Sequence, residues 1–149
     1  MKFFITILLL NSFLLGNAQI KDPASFQYKA VKKSASTYEI IIKATVPKPW
    51  HIYSQNTPSG GPIPTTITFK KNPLVTLNGK VKETGKLMTT EDKNFGVAVK
   101  FYADEVLFTQ LVTVKANVKT NVAGTIEYML CDDGQCLPPT KKSFDIKLQ

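Results

Sequence analysis

The sequence predicts an all-β fold, an immunoglobulin-like antiparallel β-sandwich. Three observations carry that prediction. Apolar residues recur with a period of two in several short runs. The runs are separated by clusters of Pro, Gly, Asn and Asp, the residues that make turns. No extended stretch repeats its apolar residues at the helical period of about 3.6.

Residues 1–18 stand apart from the fold. Lys2 supplies a positive charge, an apolar run extends from Phe3 through Leu10 and resumes at Phe13-Leu14-Leu15, and Gly16-Asn17-Ala18 offers small residues before a cleavage point. That pattern predicts a secretory signal peptide, with one mature domain over residues 19–149. The run is short and interrupted for a membrane anchor, and no cysteine follows the cleavage point to carry a lipid. The expected product is soluble, exported and periplasmic.

In the mature region the first strand expected is 26–31. Residues 37–46 alternate well: Tyr38, Ile40, Ile42, Ala44 and Val46 share one face, and Glu39, Lys43 and Thr45 the other. Pro47-Lys48-Pro49 reads as a turn, followed by a strand over 50–55 and a second turn at Pro58-Ser59-Gly60-Gly61-Pro62. Strands are expected at 65–69, at 75–81 with turn chemistry in Leu77-Asn78-Gly79, and at 95–102. The segment 105–116 sets Val106, Phe108, Val112, Val114 and Ala116 on one face. Ile126, Tyr128 and Leu130 form another face, and Phe144, Ile146 and Leu148 form the last. About eight or nine short strands at this spacing are what a sandwich needs.

Composition narrows the function. The chain has 149 residues, 43% of them hydrophobic, which suits one domain with its own core. Its formal charge of +8 is carried by lysine without a single arginine. Base readers depend on the arginine fork, so nucleic acid is not the expected partner. The lysines are scattered, as on a solvated surface that guards its strand edges. No glycine-rich phosphate loop, G-x-S-x-G elbow or H-E-x-x-H is present. Two cysteines cannot make a zinc site of four thiolates, and a mixed site would need His51, both cysteines and a carboxylate to converge, so neither a metal nor a cofactor is expected.

What remains is Leu130-Cys131-Asp132-Asp133-Gly134-Gln135-Cys136-Leu137-Pro138-Pro139. A strand runs into Cys131, Asp-Asp-Gly makes a turn, and Cys136 begins the return. Both sulfurs thus sit at the mouth of a hairpin between the last two long strands, and an oxidising compartment would let them pair. Closing so short a loop contributes only roughly 2 kcal/mol, because the entropy term grows with the logarithm of loop length. A domain of this size rarely needs that help. On these grounds a structural staple and a redox-active pair both stay open. The spacing is not Cys-x-x-Cys, and no βαβ unit accompanies it. Asp132 and Asp133 place negative charge beside Cys131, which disfavours a thiolate and slows idle oxidation.

The segment C-D-D-x-x-C-L-P-P resembles the active site of the N-terminal periplasmic domain of the bacterial thiol:disulfide interchange protein DsbD. Other features match in order along the chain. Pro49-Trp50-His51-Ile52-Tyr53-Ser54 resembles the family's aromatic strand, Pro62 and Ile67-Thr68-Phe69 the strand that follows, and Glu91-Asp92-Lys93-Asn94-Phe95-Gly96 its acidic and aromatic cap loop. The resemblance implies an immunoglobulin-like fold and electron transfer by thiol–disulfide exchange. Electrons would arrive from a thioredoxin-like partner tied to a membrane-embedded reductase and pass to oxidised periplasmic proteins, which makes the chain a component of a protein-disulfide reductase. By the same resemblance Cys136 is the exchange cysteine and Cys131 the resolving one. Asp92 and Phe95 belong to the cap, Tyr53 packs beside the sulfurs, and His51 and Asp132 support the site.

Three departures from the family pattern stand out. The cysteine spacing is one residue shorter than in the best-known members, Asn94 occupies an expected aromatic position with Phe95 next to it, and His51 replaces a tyrosine. The sequence also ends after the domain, so the membrane unit and the thioredoxin-like domain are expected on separate proteins. A second reading uses the same fold: an exported immunoglobulin-like binding module whose hairpin disulfide is structural.

Overall fold

The structure, a computed structural model, describes residues 21–93, 95–115 and 118–149. The expected signal peptide, Asn94 and Ala116 lie outside these residues. Eight strands follow in chain order: β1 Ser25–Lys32, β2 Thr37–Tyr53, β3 Thr66–Phe69, β4 Val75–Asp92, β5 Val97–Val114, β6 Thr120–Tyr128, β7 Leu130–Cys131 and β8 Thr140–Leu148. One sheet runs β1-β2-β5-β4, with β7 added beside β2, and the other runs β3-β6-β8. Every pairing between these strands is antiparallel.

The two sheets close over one apolar core. The even-numbered face of β2 supplies Tyr38, Ile40, Ile42, Ala44 and Val46. β5 adds Val106, Phe108, Val112 and Val114, and the opposite sheet adds Val122, Ile126, Tyr128, Phe144, Ile146 and Leu148. These are the faces that the period of two predicts. Each such side chain, fully buried, stabilises the fold by about 1.5–3 kcal/mol, which sets the register of every strand it belongs to. The immunoglobulin-like sandwich expected from the sequence is the fold.

The strands are longer than their sequence pattern suggests. The segments 37–46 and 50–55 are not divided by a turn at Pro47-Lys48-Pro49; they form one strand. Between β2 and β5 the register moves from Val46 opposite Asp104 to His51 opposite Ala103, so residues 47–50 bulge out of the ladder. Proline has no N–H to give a ladder, and a bulge is where a strand tolerates it. Asp104, across the bulge, takes a positive φ of 72°. Thus 95–102 and 105–114 also join, as β5. Likewise Leu77-Asn78-Gly79 does not turn the chain: the β4–β5 register shifts between Asn78 and Lys82, and Gly79 absorbs the bulge at φ 75°. β4 then continues to Asp92, well past the expected end at 81.

These bulges matter for function. The one in β2 separates the part of its edge that pairs with β1 (residues 38–45) from the part that pairs with β7 (residues 51–52). It therefore opens a place for the cysteine segment in the first sheet. The long β4–β5 hairpin carries Lys93, Phe95 and Gly96, at its tip, to the same end of the molecule. Gly96 closes that tip at φ 65°, and its N–H donates to Asp92 O at 2.7 Å.

Candidate functional site and the family of the chain

The cysteine segment crosses between the sheets. β6 belongs to the second sheet, β7 pairs with β2 of the first, and β8 returns to the second. The sequence placed this hairpin simply between the last two long strands; the change of sheet was not legible in it. Cys131 and Cys136 face each other as an antiparallel bridge and form a disulfide, with Cα atoms 4.0 Å apart. The turn between them is held by Asp132. Its N–H donates to Gln135 O at 2.9 Å, and its Oδ1 accepts from the N–H groups of Gly134 and Gln135 at 2.8 Å each. Those two amides hold the Asp132 carboxyl below its ordinary pKa. Leu137 N–H donates to Leu130 O and fastens the base of the turn.

Register places the pair on a particular face. His51 lies opposite Cys131, and Tyr53 opposite Phe101. These odd-numbered residues of β2 point away from the sandwich core, because Ile52 and Trp50 point into it. A second apolar cluster forms there. Tyr53, Val99 and Cys131 are wholly buried in it, and Phe95, Val97, Phe101, Met129 and Cys136 pack around them. Cys131 is 0% exposed, whereas Cys136 is only partly buried.

The cluster also contains polar groups, and each has a partner. Tyr53 donates its hydroxyl proton to Asp92 Oδ2 at 2.7 Å, and His51 Nε2 lies 3.2 Å from the same hydroxyl. Asp92 is 7% exposed, so this bond ties the end of β4 to the centre of the cluster. Burial, then the Asp92 carboxylate, pushes the Tyr53 phenol far above its ordinary pKa. Burial lowers the His51 pKa against the opposing pull of Asp92, Asp133 and Asp132. The His51 ring rests on Phe101, with centroids 4.5 Å apart. Beside it opens a groove of about 390 Å³ lined by Glu91, Asp92, Asp132 and Asp133, with Met88 and Phe101 as its apolar floor. In a chain of formal charge +8, this is an acidic exception.

The residues expected at the site are thus brought to one end of the molecule. Cys131, Cys136, Tyr53, Asp92 and Phe95 share one cluster, and His51 borders it. Asp132 stands outside the cluster: it lines the groove beside His51 and spends its carboxylate on the turn. The segment Glu91-Asp92 is the end of a strand rather than part of the loop.

Other contributors escaped sequence reasoning. A Cβ on Gly61 would meet Val97 at 2.7 Å and Phe95 at 3.7 Å, so the loop after β2 lies against the hairpin tip and only glycine fits there. That loop is fixed by Glu83, which accepts from Ser54 Oγ and Gln55 N–H at 2.6 Å each and from Tyr102 OH at 3.1 Å. Burial and the Glu83 carboxylate push Tyr102 up to about 12. The signal for Gly61 was present in Gly60-Gly61-Pro62, but it read only as a turn.

The family model described as the thiol:disulfide interchange protein DsbD, N-terminal, matches residues 17–148. The chain belongs to this family. The two cysteines of this member form a disulfide.

Solved structures agree on the fold. The N-terminal periplasmic domain of ScsB from Proteus mirabilis superposes with a TM-score of 0.61 at 17% identity, over 84% of this chain and 46% of that one. The chain thus spans about half the length of that relative. The Neisseria meningitidis DsbD N-terminal domain in its reduced form gives a TM-score of 0.54 at 16% identity, over 81% of this chain and 83% of that one. The complex between the DsbD N-terminal and PilB N-terminal domains from the same organism gives 0.52 at 15% identity, covering 80% of each chain. No curated protein sequence matches. Among the described residues, no helix is long and apolar enough to cross a membrane.

Proposed function

We propose that Cys131–Cys136 is the redox centre of an electron-transfer domain that works in the periplasm after export. A thioredoxin-like partner linked to a membrane reductase reduces the pair, and the resulting dithiol reduces oxidised envelope proteins. The observation that carries this reading is the asymmetry of the disulfide. Cys136 is partly open and Cys131 is 0% exposed. An incoming thiolate must reach a sulfur in line with the bond, so exchange with partners runs through Cys136. Cys131, held behind it, then resolves the mixed disulfide.

The hairpin tip acts as the cap. Phe95 packs against the cluster, and Asp92 anchors the strand below it through Tyr53. A covered disulfide is protected from stray thiols until a docking protein displaces the cover. Asp132 supports the site by shaping the turn that holds the sulfurs together. The complex of the Neisseria DsbD N-terminal domain with the PilB N-terminal domain supports a protein, rather than a small molecule, as the docking partner.

The test is trapping. Cys131→Ser, expressed in a cell envelope, should accumulate mixed disulfides through Cys136 that a reductant dissolves, with a thioredoxin-like protein among those captured. Cys136→Ser should capture none. Equal capture by the two variants would overturn the assignment of roles.

A further inference from the structure

We propose that His51 is the proton acceptor for the Cys131 thiol in the step that resolves the mixed disulfide. The proposal rests on the roles assigned to the two cysteines above. Four observations lead to it.

His51 is the antiparallel register partner of Cys131. Residues directly opposed in such a pair project from the same face, with Cβ atoms about 4.5–5.5 Å apart. The ring is also fixed in place, by Phe101 on one side and by the Tyr53 hydroxyl on the other. The hydrogen bonds then define which nitrogen carries the proton. A phenol has one proton to give, and Tyr53 gives it to Asp92 at 2.7 Å. At the 3.2 Å contact His51 Nε2 must therefore be the donor. Nδ1 keeps its lone pair, and it makes no hydrogen bond among the described residues. Finally, a reduced Cys131 thiol would be wholly enclosed beside Tyr53 and Val99. Burial in apolar surroundings raises a thiol pKa, so this cysteine is a poor nucleophile unless a base stands next to it.

The groups around the ring are consistent with that task. Tyr53 lies on its own strand, Asp92 comes from β4, Phe101 from β5, and Asp132 and Asp133 from the turn after β7. Glu91 and Lys93 line the same groove. Burial outweighs the carboxylates and keeps the His51 pKa below its ordinary value of 6.5, so the ring is a neutral base at pH 7.

The step balances as follows. The Cys131 S–H proton moves to His51 Nδ1. The Cys131 sulfur attacks Cys136 Sγ, a new Cys131–Cys136 bond forms, and the bond from Cys136 to the partner breaks. The electron pair leaves on the partner's sulfur, which takes up the proton held by the imidazolium. The cysteine pair is oxidised by two electrons, and the partner is reduced by two.

The experiment uses the reduced full-length domain and Ellman's reagent, which releases one coloured thiolate on forming the Cys136 adduct and a second when Cys131 closes the ring. Only the second release is independent of reagent concentration. His51→Gln keeps an N–H donor toward Tyr53 but offers no base. It should slow the second release about 10²-fold at pH 7, the low end of general-base catalysis, and abolish the decline in rate that the unaltered domain shows as pH falls through the His51 pKa. In His51→Ala, added imidazole should restore the second release, a rescue that a purely structural role would not give. A His51→Gln rate within twofold of the unaltered domain with the same pH profile, or no rescue by imidazole, overturns the proposal. If the unaltered domain itself releases only one thiolate, Cys131 does not resolve, and the functional reading falls together with this one.

Discussion

The molecule contains two apolar clusters built on different plans, one on each face of the same sheet. The core between the sheets is made almost wholly of hydrocarbon and aromatic surface from all eight strands. The cluster around the disulfide is small, sits on the outer face of the first sheet, and holds a buried phenol and a carboxylate with an imidazole at its border. The core is enclosed by two sheets, whereas the site cluster is roofed by a hairpin tip and one loop. The difference teaches that stability and reactivity are separable here. A domain can keep its fold in the first cluster and leave the second free to open, because local opening costs only the contacts of the cap.

Mutations can break this division, and the largest effect belongs to the core. Phe108→Ala removes a 1%-exposed ring between the sheets and should destabilise the domain by about 3–5 kcal/mol in denaturant unfolding. If it instead left stability intact while changing thiol reactivity, the division of labour would be wrong. Tyr53→Phe comes next. It removes the hydrogen bonds of Tyr53 with Asp92 and His51 and should cost about 1–3 kcal/mol, the range for losing a buried hydrogen bond to a charged group. It should also speed reduction of the disulfide by dithiothreitol, since the anchor of the cap is lost.

Phe95→Ala should weaken the fold by no more than about 1 kcal/mol, because the ring is only partly buried at the tip of a hairpin. The same loss, taken from the closed cap, should raise the rate of reduction by dithiothreitol about fivefold. An unchanged rate would show that Phe95 does not cover the sulfurs. The smallest effect concerns Asp132. Its folded pKa is depressed, so its contribution to the turn is present at neutral pH and fades as pH falls through that lowered value. Amide exchange at Gly134 and Gln135 should lose protection in that acid range, and in Asp132→Ala at neutral pH as well, with no resolvable change in global stability.

Much of the fold was legible in the sequence because a sandwich writes its core as alternation. The buried face of β2 is legible residue by residue from Tyr38 to Val46. What was not legible were the bulges. Pro47-Lys48-Pro49 and Asn78-Gly79 have turn composition, and whether such a segment turns the chain or merely buckles a strand depends on the neighbouring strand. The residues of the site were legible as types and in order, through the cysteine hairpin, Trp50-His51-Ile52-Tyr53 and the acidic cap. Their meeting was not. It depends on β7 leaving the sheet of its neighbours to pair with β2, and on register that sets His51 opposite Cys131 and Tyr53 opposite Phe101. Glu83 carries no distinctive signal and Gly61 carries only that of a turn, since their value lies in segments brought near them by tertiary packing.

The central claim is that Cys131–Cys136 is an exchange disulfide rather than a staple. The most direct test is its reduction potential, measured by equilibration with a dithiol buffer and quantified by thiol labelling. A value above about −300 mV, within the range of exchange proteins, is expected. A value far below that would mean that the bond resists the cell's reductants and serves only to hold the hairpin, and it would contradict the account.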